Sequence, residues 1–100
     1  VDLNFFHHQL VLHQSNNQNK IIKNEVDSNS IPIPHFGVIL RWDDWHDLSN
    51  KLNNKVEFEV KPHIRFAGKI GEQATMFFSD PDNNALEFKA FKNDNQIFEK

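Results

Sequence analysis

The stretch ALEFKAF at 85–91 alternates, and it sets a carboxylate, Glu87, in the middle of a strand-like run. In strand geometry Leu86, Phe88 and Ala90 share one face, while Ala85, Glu87, Lys89 and Phe91 share the other. A carboxylate so placed either meets water or meets a group that takes a negative oxygen. Lys89 on the same face is a simple ion-pair partner. The preceding SDPDNN has turn chemistry: Asp80-Pro81 sets the entry and Asn83-Asn84 tolerate positive φ. Residues 74–79 and 85–91 are therefore predicted to form a hairpin.

A second group lies in KPHIRFAGKIGEQ, residues 61–73, predicted as a loop. His63 is a candidate catalytic acid or base there, or else a solvated loop residue. Arg65 and Gln73 can bring a guanidinium and an amide to an anionic or hydroxylated substrate, with Gly68 and Gly71 permitting close turns. The plainer alternative is a connection whose Arg65 pairs with a surface carboxylate. Phe66, Met76 and Phe77 are candidates to line an apolar pocket, although sheet aromatics more often build core. Of the remaining histidines, His7 and His8 read as a solvated turn, His13 as the end of a strand, and His46 as the exposed side of a helix.

Composition narrows the field. The 100-residue chain suits one domain, and its 38% hydrophobic content with ten Phe supports a small core. Net charge is −3, from 11 basic and 14 acidic residues, with no basic stripe for nucleic acid. No apolar run reaches the ~20 residues of a membrane helix. With no cysteine, disulfides and thiolate metal sites are excluded. No signal peptide is visible, so a cytoplasmic protein is expected. The chain starts at Val1 and reads straight into a strand, without a Met or a lead-in.

These residues need elements to hold them. Residues 2–6 and 8–13 read as two short strands joined tightly at His7-His8. Residues 14–34, rich in Gln, Asn, Lys and Ser and closed by Pro32 and Pro34, read as a linker or lid whose apolar spot is Ile21-Ile22. HFGVIL at 35–40 reads as a strand buried on both faces. A helix follows from Trp42, capped by Asp43 or Asp44, with Trp45, Leu48 and Leu52 as its apolar stripe and Asn53-Asn54 at its end. VEFEV at 56–60 reads as a one-sided strand with Val56, Phe58 and Val60 inward. The tail from Lys92 is polar apart from Ile97 and Phe98. From residue 35 the order is strand, helix, strand, strand, strand. FFHHQL at 5–10 resembles FFSDPDNNAL at 77–86, which suggests one unit used twice with its first copy cut short. Matching Leu10 to Leu86 places the counterpart of His35 roughly 40 residues before Val1.

The stretches PHFGVIL at 34–40, RFAGKIGEQATMFFSDPDNNALEFKAF at 65–91 and NFFHHQLVLH at 4–13 carry a resemblance to the vicinal oxygen chelate superfamily. That superfamily includes glyoxalase I, the bleomycin- and fosfomycin-resistance proteins and the extradiol dioxygenases. The ending MFFSDPDNNALEFKAF is especially close to small dioxygenase-like members. The resemblance implies an α+β fold of βαβββ modules: residues 1–13 as the last two strands of a first module, 14–34 as linker, 35–91 as a complete second module, and 92–100 as a tail. It further implies that His35, opening the first strand of that module, and Glu87, in its last, are metal ligands. A third ligand, a His, is expected upstream of Val1.

Val11 stands at the first-module position matching Glu87 and cannot ligate, which departs from the glyoxalase I pattern and favours two His and one carboxylate. Such a set leaves open positions on a divalent ion, as suits Fe(II), with Mn, Zn or Ni as alternatives. The chain has no Tyr, which departs from the catechol-cleaving pattern. The implied function is a metal-dependent dioxygenase- or lyase-like enzyme acting on a small oxygenated substrate, with Arg65, Gln73 and Phe66 as substrate contacts. The alternative is a drug- or aromatic-binding protein of the bleomycin-resistance type. A third reading is a stable fragment without activity. Unpaired sheet edges make a homodimer the expected assembly, with no nucleic-acid or membrane partner.

Overall fold

The computed structural model describes residues 1–16, 22–26 and 29–98. Ile21, the other linker positions at 17–20 and 27–28, and tail residues 99–100 lie outside them. The chain forms β1 (Asp2–Phe5), β2 (His8–Val11), β3 (Ile22–Val26), β4 (Asn29–Ile33), β5 (Phe36–Leu40), α1 (Trp42–Leu52), β6 (Phe58–Arg65), β7 (Gln73–Ser79), β8 (Ala85–Phe91) and a 3-10 turn at Asp94–Gln96. No described helix is long and apolar enough to cross a membrane.

The β5–α1–β6–β7–β8 run closes into one sheet of order β5-β8-β7-β6. The first and last strands of the run lie side by side and parallel, with Gly37 opposite Glu87 and Val38 opposite Phe88. The β7–β8 and β6–β7 pairs are antiparallel. Period-2 alternation then divides β8 as its sequence suggests: Phe88 and Ala90 are buried toward α1, while Glu87 and Lys89 are half-buried on the other side. The β7–β8 turn is held by the Asp80 carboxylate, which accepts from the Asp82 and Asn84 backbone N–H groups at 2.9 and 2.8 Å. Asn83 takes the positive φ, at 65°.

The core forms where α1 crosses the sheet. Trp45, Ala74, Met76, Phe88 and Ala90 are buried together, with Leu48, Leu52, Phe58 and Phe78 packed around them. Cross-strand partners Ala74 and Ala90 are small, which suits a layer that also contains an indole. The Trp45 Nε1–H donates to the Phe88 carbonyl at 2.8 Å, tying helix to strand. Trp45→Phe removes that buried donor and part of the ring, and is expected to cost about 1–3 kcal/mol. Urea denaturation checks this; a change below about 0.5 kcal/mol would contradict the tie.

Several expectations change. The linker contains a hairpin, because Ile22–Val26 pairs with Asn29–Ile33. The strand at 35–40 is not buried on both faces: among the described residues β5 pairs with β8 alone, and Phe36 and Ile39 are 43% and 47% exposed. The 56–60 strand begins at Phe58 and runs on to Arg65, so the connecting loop is only 66–72. Register shifts at 58–60 and 60–63 break its alternation. Phe58 thus pairs with Phe78 on the helix side, whereas Val60 pairs with Phe77 on the opposite side.

The helix N-cap is Arg41, without a side-chain cap; Asp43 and Asp44 sit in the first turn, where their charge suits the helix dipole. Asn54 takes the positive φ after the helix, at 64°. His46 is half-buried between the Trp42 and Trp45 rings, with centroids 5.0 Å from each, rather than exposed. The β1–β2 turn is centred on Phe6 and His7, both at positive φ. It brings Phe5 and Phe6 against Phe88, at 6.3 and 5.7 Å between ring centroids.

Candidate functional site

The face of the sheet turned away from α1 carries a cavity of about 170 Å³. Its floor is built by strand alternation: Thr75 and Phe77 from β7, Glu87 and Lys89 from β8, and His63 and Arg65 from β6. His35 enters at the start of β5. Val26, Asn29 and Ile31 of the β3–β4 hairpin form the remaining wall. That hairpin is held beside β6 by a Lys23–Glu59 ion pair at 2.6 Å, and by the burial of Pro32.

His35 and Glu87 meet here. The His35 Nε2 lies 3.4 Å from Glu87 Oε1. His35 Nδ1 lies 2.9 Å from the Pro32 carbonyl, which can only accept, so in the neutral imidazole the ring proton sits on Nδ1 and the lone pair is at Nε2. The Phe77 ring packs edge-on against the imidazole at 4.9 Å and fixes its plane. Glu87 Oε2 accepts from Thr75 Oγ1 at 2.5 Å, and Lys89 Nζ stands 3.7 Å from the same oxygen. Thr75 is 2% exposed, so its hydroxyl is committed to this contact. Two lone-pair donors, one on each residue, therefore face one another with their orientations set from behind.

The separation bears on whether these residues suit a metal. Donors each about 2.1 Å from one ion are roughly 3.0–3.4 Å apart for right-angled to tetrahedral arrangements. A direct charge-assisted hydrogen bond would be about 2.7–2.9 Å. His35 and Glu87, at 3.4 Å, thus fit as two members of a divalent site, with the Pro32 carbonyl and Thr75 hydroxyl as the outer partners such ligands need. Among the described residues no third His, Cys, Asp or Glu completes a metal-binding group.

The other sequence candidates divide between two places. His63 lies on β6 opposite Thr75, not in a loop, with Nδ1 2.9 Å from the Lys61 carbonyl. It shares the cavity with Arg65, whose guanidinium lies 4.9 Å from the centre of the Phe66 ring. Phe66 and Gln73 instead line a separate hollow with Ile70, Gly71, Phe91, Gln96 and Ile97. Gln73 is 8% exposed, donates to the Gly71 carbonyl at 3.3 Å and leaves Oε1 buried without a hydrogen-bond partner. Met76 is core, while Phe77 lines the cavity. His7, His8 and His13 are exposed and lie outside it.

Sequence reasoning missed Thr75 and the hairpin wall. Thr75 was legible in principle, since QATMFFS at 73–79 alternates and places Thr75 with Phe77. The hairpin signal was the polar cluster DSNS at 27–30 between two segments containing Ile and Val.

No protein-family model matches the chain, and no curated protein does. Among solved structures, the crystal structure of a glyoxalase/bleomycin resistance protein/dioxygenase from Alicyclobacillus acidocaldarius matches with a TM-score of 0.75 and 31% identity. The match covers 96% of this chain and 69% of that one. A parallel first–last strand pair, one helix on the outer face and a cavity on the inner face accompany that likeness, and the chain belongs to the glyoxalase/bleomycin resistance protein/dioxygenase family of the vicinal oxygen chelate superfamily.

Proposed function

We propose that the protein is a metal-dependent enzyme of the glyoxalase/dioxygenase type, acting on a small oxygenated molecule in the cavity beneath the β3–β4 hairpin. The observation that carries this reading is the approach of His35 Nε2 to Glu87 Oε1, at a separation suited to two ligands of one ion. His35 and Glu87 would hold the metal, Fe(II) by preference and otherwise Mn, Zn or Ni, with a third ligand, a His, supplied from upstream of Val1. When bound, such an ion supplies a Lewis acid toward substrate oxygens and, as Fe(II), reducing electrons for O2.

The chain's own residues do the rest. Thr75 and Pro32 hold the two ligands in orientation. Val26, Ile31 and Phe77 exclude water from one side. His63, with its proton held on Nδ1 by the Lys61 carbonyl, offers Nε2 to accept a proton from substrate. A second copy would cover the open edge of β5, where Phe36 and Ile39 are exposed.

The apolar wall also favours a second reading, in which the cavity sequesters a ligand without metal, as in bleomycin-resistance proteins. Elemental analysis of anaerobically purified protein separates the two. Near-stoichiometric divalent metal is expected, and His35→Ala should lose it while keeping the wild-type circular dichroism. Metal-free protein in every preparation, including metal-supplemented ones, would leave only the sequestering role.

A further inference from the structure

We infer that Lys89 is a positioning residue of this site: with Thr75 it holds the far oxygen of Glu87, so that the carboxylate offers only Oε1 to a metal and one further position on the ion stays open to water or substrate. The inference rests on the reading of His35 and Glu87 as metal ligands, and it says how the second of them binds. Register supplies the first argument. Phe36 stands opposite Leu86, so His35, one residue earlier on the parallel strand, lies toward the Ala85 end of β8. Thr75 stands opposite Lys89, so both lie on the other side of Glu87, toward the Phe91 end. The carboxylate is straddled between them, and its oxygens divide accordingly. Oε1 is 3.4 Å from His35 Nε2, while Oε2 accepts from Thr75 Oγ1 at 2.5 Å and has Lys89 Nζ at 3.7 Å. Glu87 and Lys89 are two residues apart on one half-buried face of β8, so the strand itself fixes the side on which the ammonium stands.

Charge supplies the second argument. The Thr75 hydroxyl is neutral and directs Oε2 through a hydrogen bond. The Lys89 ammonium carries a full positive charge. At 3.7 Å it is beyond a charge-assisted hydrogen bond, about 2.7–2.9 Å, yet near enough for ion-pair attraction. It therefore acts both on the oxygen and on any cation that approaches that oxygen. An ion shared by both oxygens would lie about 2.1 Å from Oε2 and within roughly 6 Å of Nζ, where like charges repel. An ion on Oε1 alone would stand on the His35 side instead. The two partners of one oxygen thus have opposite expected effects on affinity. Thr75 orients the ligand and strengthens binding, whereas Lys89 keeps it to a single donor oxygen and weakens binding.

Measurements on the Mn(II)-loaded protein test this. Water-proton relaxation counts the exchangeable waters on the ion, and competition against a chromophoric chelator gives its affinity. Lys89→Met keeps the length of the side chain and removes its charge. It is expected to lose about one exchangeable water, as a carboxylate passing from one donor oxygen to two implies. It should also bind Mn(II) about two- to fivefold more tightly, the size of effect that a partly exposed charge contact supports. Lys89→Gln, which also lacks the charge, should behave as Lys89→Met does. Lys89→Arg, which keeps the charge, should keep both wild-type values. An unchanged water count in Lys89→Met and Lys89→Gln, weaker Mn(II) binding in either, or the same changes in Lys89→Arg would each overturn the inference and leave the metal reading in place. Wild-type protein that takes up no Mn(II) would instead remove the metal reading, and this inference with it, so the two failures are distinguishable.

Discussion

Gly37→Ala is expected to cost more than about 3 kcal/mol and to populate unfolded chain under native conditions. Gly37 sits on β5 directly opposite Glu87 on β8. A β-carbon there would run into the Glu87 carbonyl oxygen, with the Glu87 carbonyl carbon at 2.6 Å and its backbone nitrogen at 3.0 Å. Every obstructing atom is main chain, so no rotamer change relieves the clash, and the parallel pair must part. Domains of this kind have about 5–15 kcal/mol in total, so the loss is a large share. The same displacement moves Glu87 away from His35. Gly68→Ala is the matched control: its φ is +73°, but nothing lies within 4 Å of the added carbon, and about 1 kcal/mol of backbone strain is expected. Urea denaturation of both variants checks the contrast. A Gly37→Ala midpoint equal to wild type would mean that β5 and β8 are not in this register.

On the proposed metal-dependent function, Glu87→Gln should abolish metal retention, and Thr75→Val should weaken it by about 10- to 100-fold without abolishing it. The first change keeps the shape of the side chain but removes the anionic donor. The second keeps the volume of a buried residue and removes only the hydroxyl that donates to Glu87 Oε2. The carboxylate then keeps Lys89 at 3.7 Å as its neighbour and is free to rotate toward it. Thr75→Ser restores the hydroxyl and should recover most of the affinity, an outcome that a purely structural role for the residue would not produce. Competition against a chromophoric chelator measures all three. Equal metal affinity in wild type and Thr75→Val would remove Thr75 from the site.

Much of the module was legible because its signals are local. The Asp80–Asn84 turn, the Leu86/Phe88/Ala90 face and the Trp45/Leu48/Leu52 stripe each follow from periodicity and turn chemistry within a few residues, and each stands as read. The misreadings arise where tertiary context overrides local pattern. HFGVIL is as apolar as a central strand, but edge position leaves Phe36 and Ile39 exposed. VEFEV alternates, but bulges in β6 turn Phe58 and Val60 to opposite sides. The hairpin at Ile22–Val26 and Asn29–Ile33 was hidden by polar composition, since its strands are mostly exposed and need few apolar residues.

For the site, the pairing of His35 with Glu87 came from family resemblance, not from spacing, because their proximity depends on a crossover that no sequence window contains. Thr75 was missed for a related reason. A Thr in a strand looks like ordinary β-propensity until its cross-strand neighbours are known.

The parallel alignment of β5 with β8 has a kinetic consequence. The two strands bracket the entire module, so their association closes the longest loop within it and gains little from nearby contacts. The intervening helix and antiparallel strands have shorter separations and can assemble earlier. During synthesis, β8 is the last of these strands to leave the ribosome, and His35 waits without its carboxylate until then. On the proposed function, capture of a ligand that needs both residues belongs to the final stage of folding, and a metal that binds only the completed pair would slow unfolding more than it speeds folding.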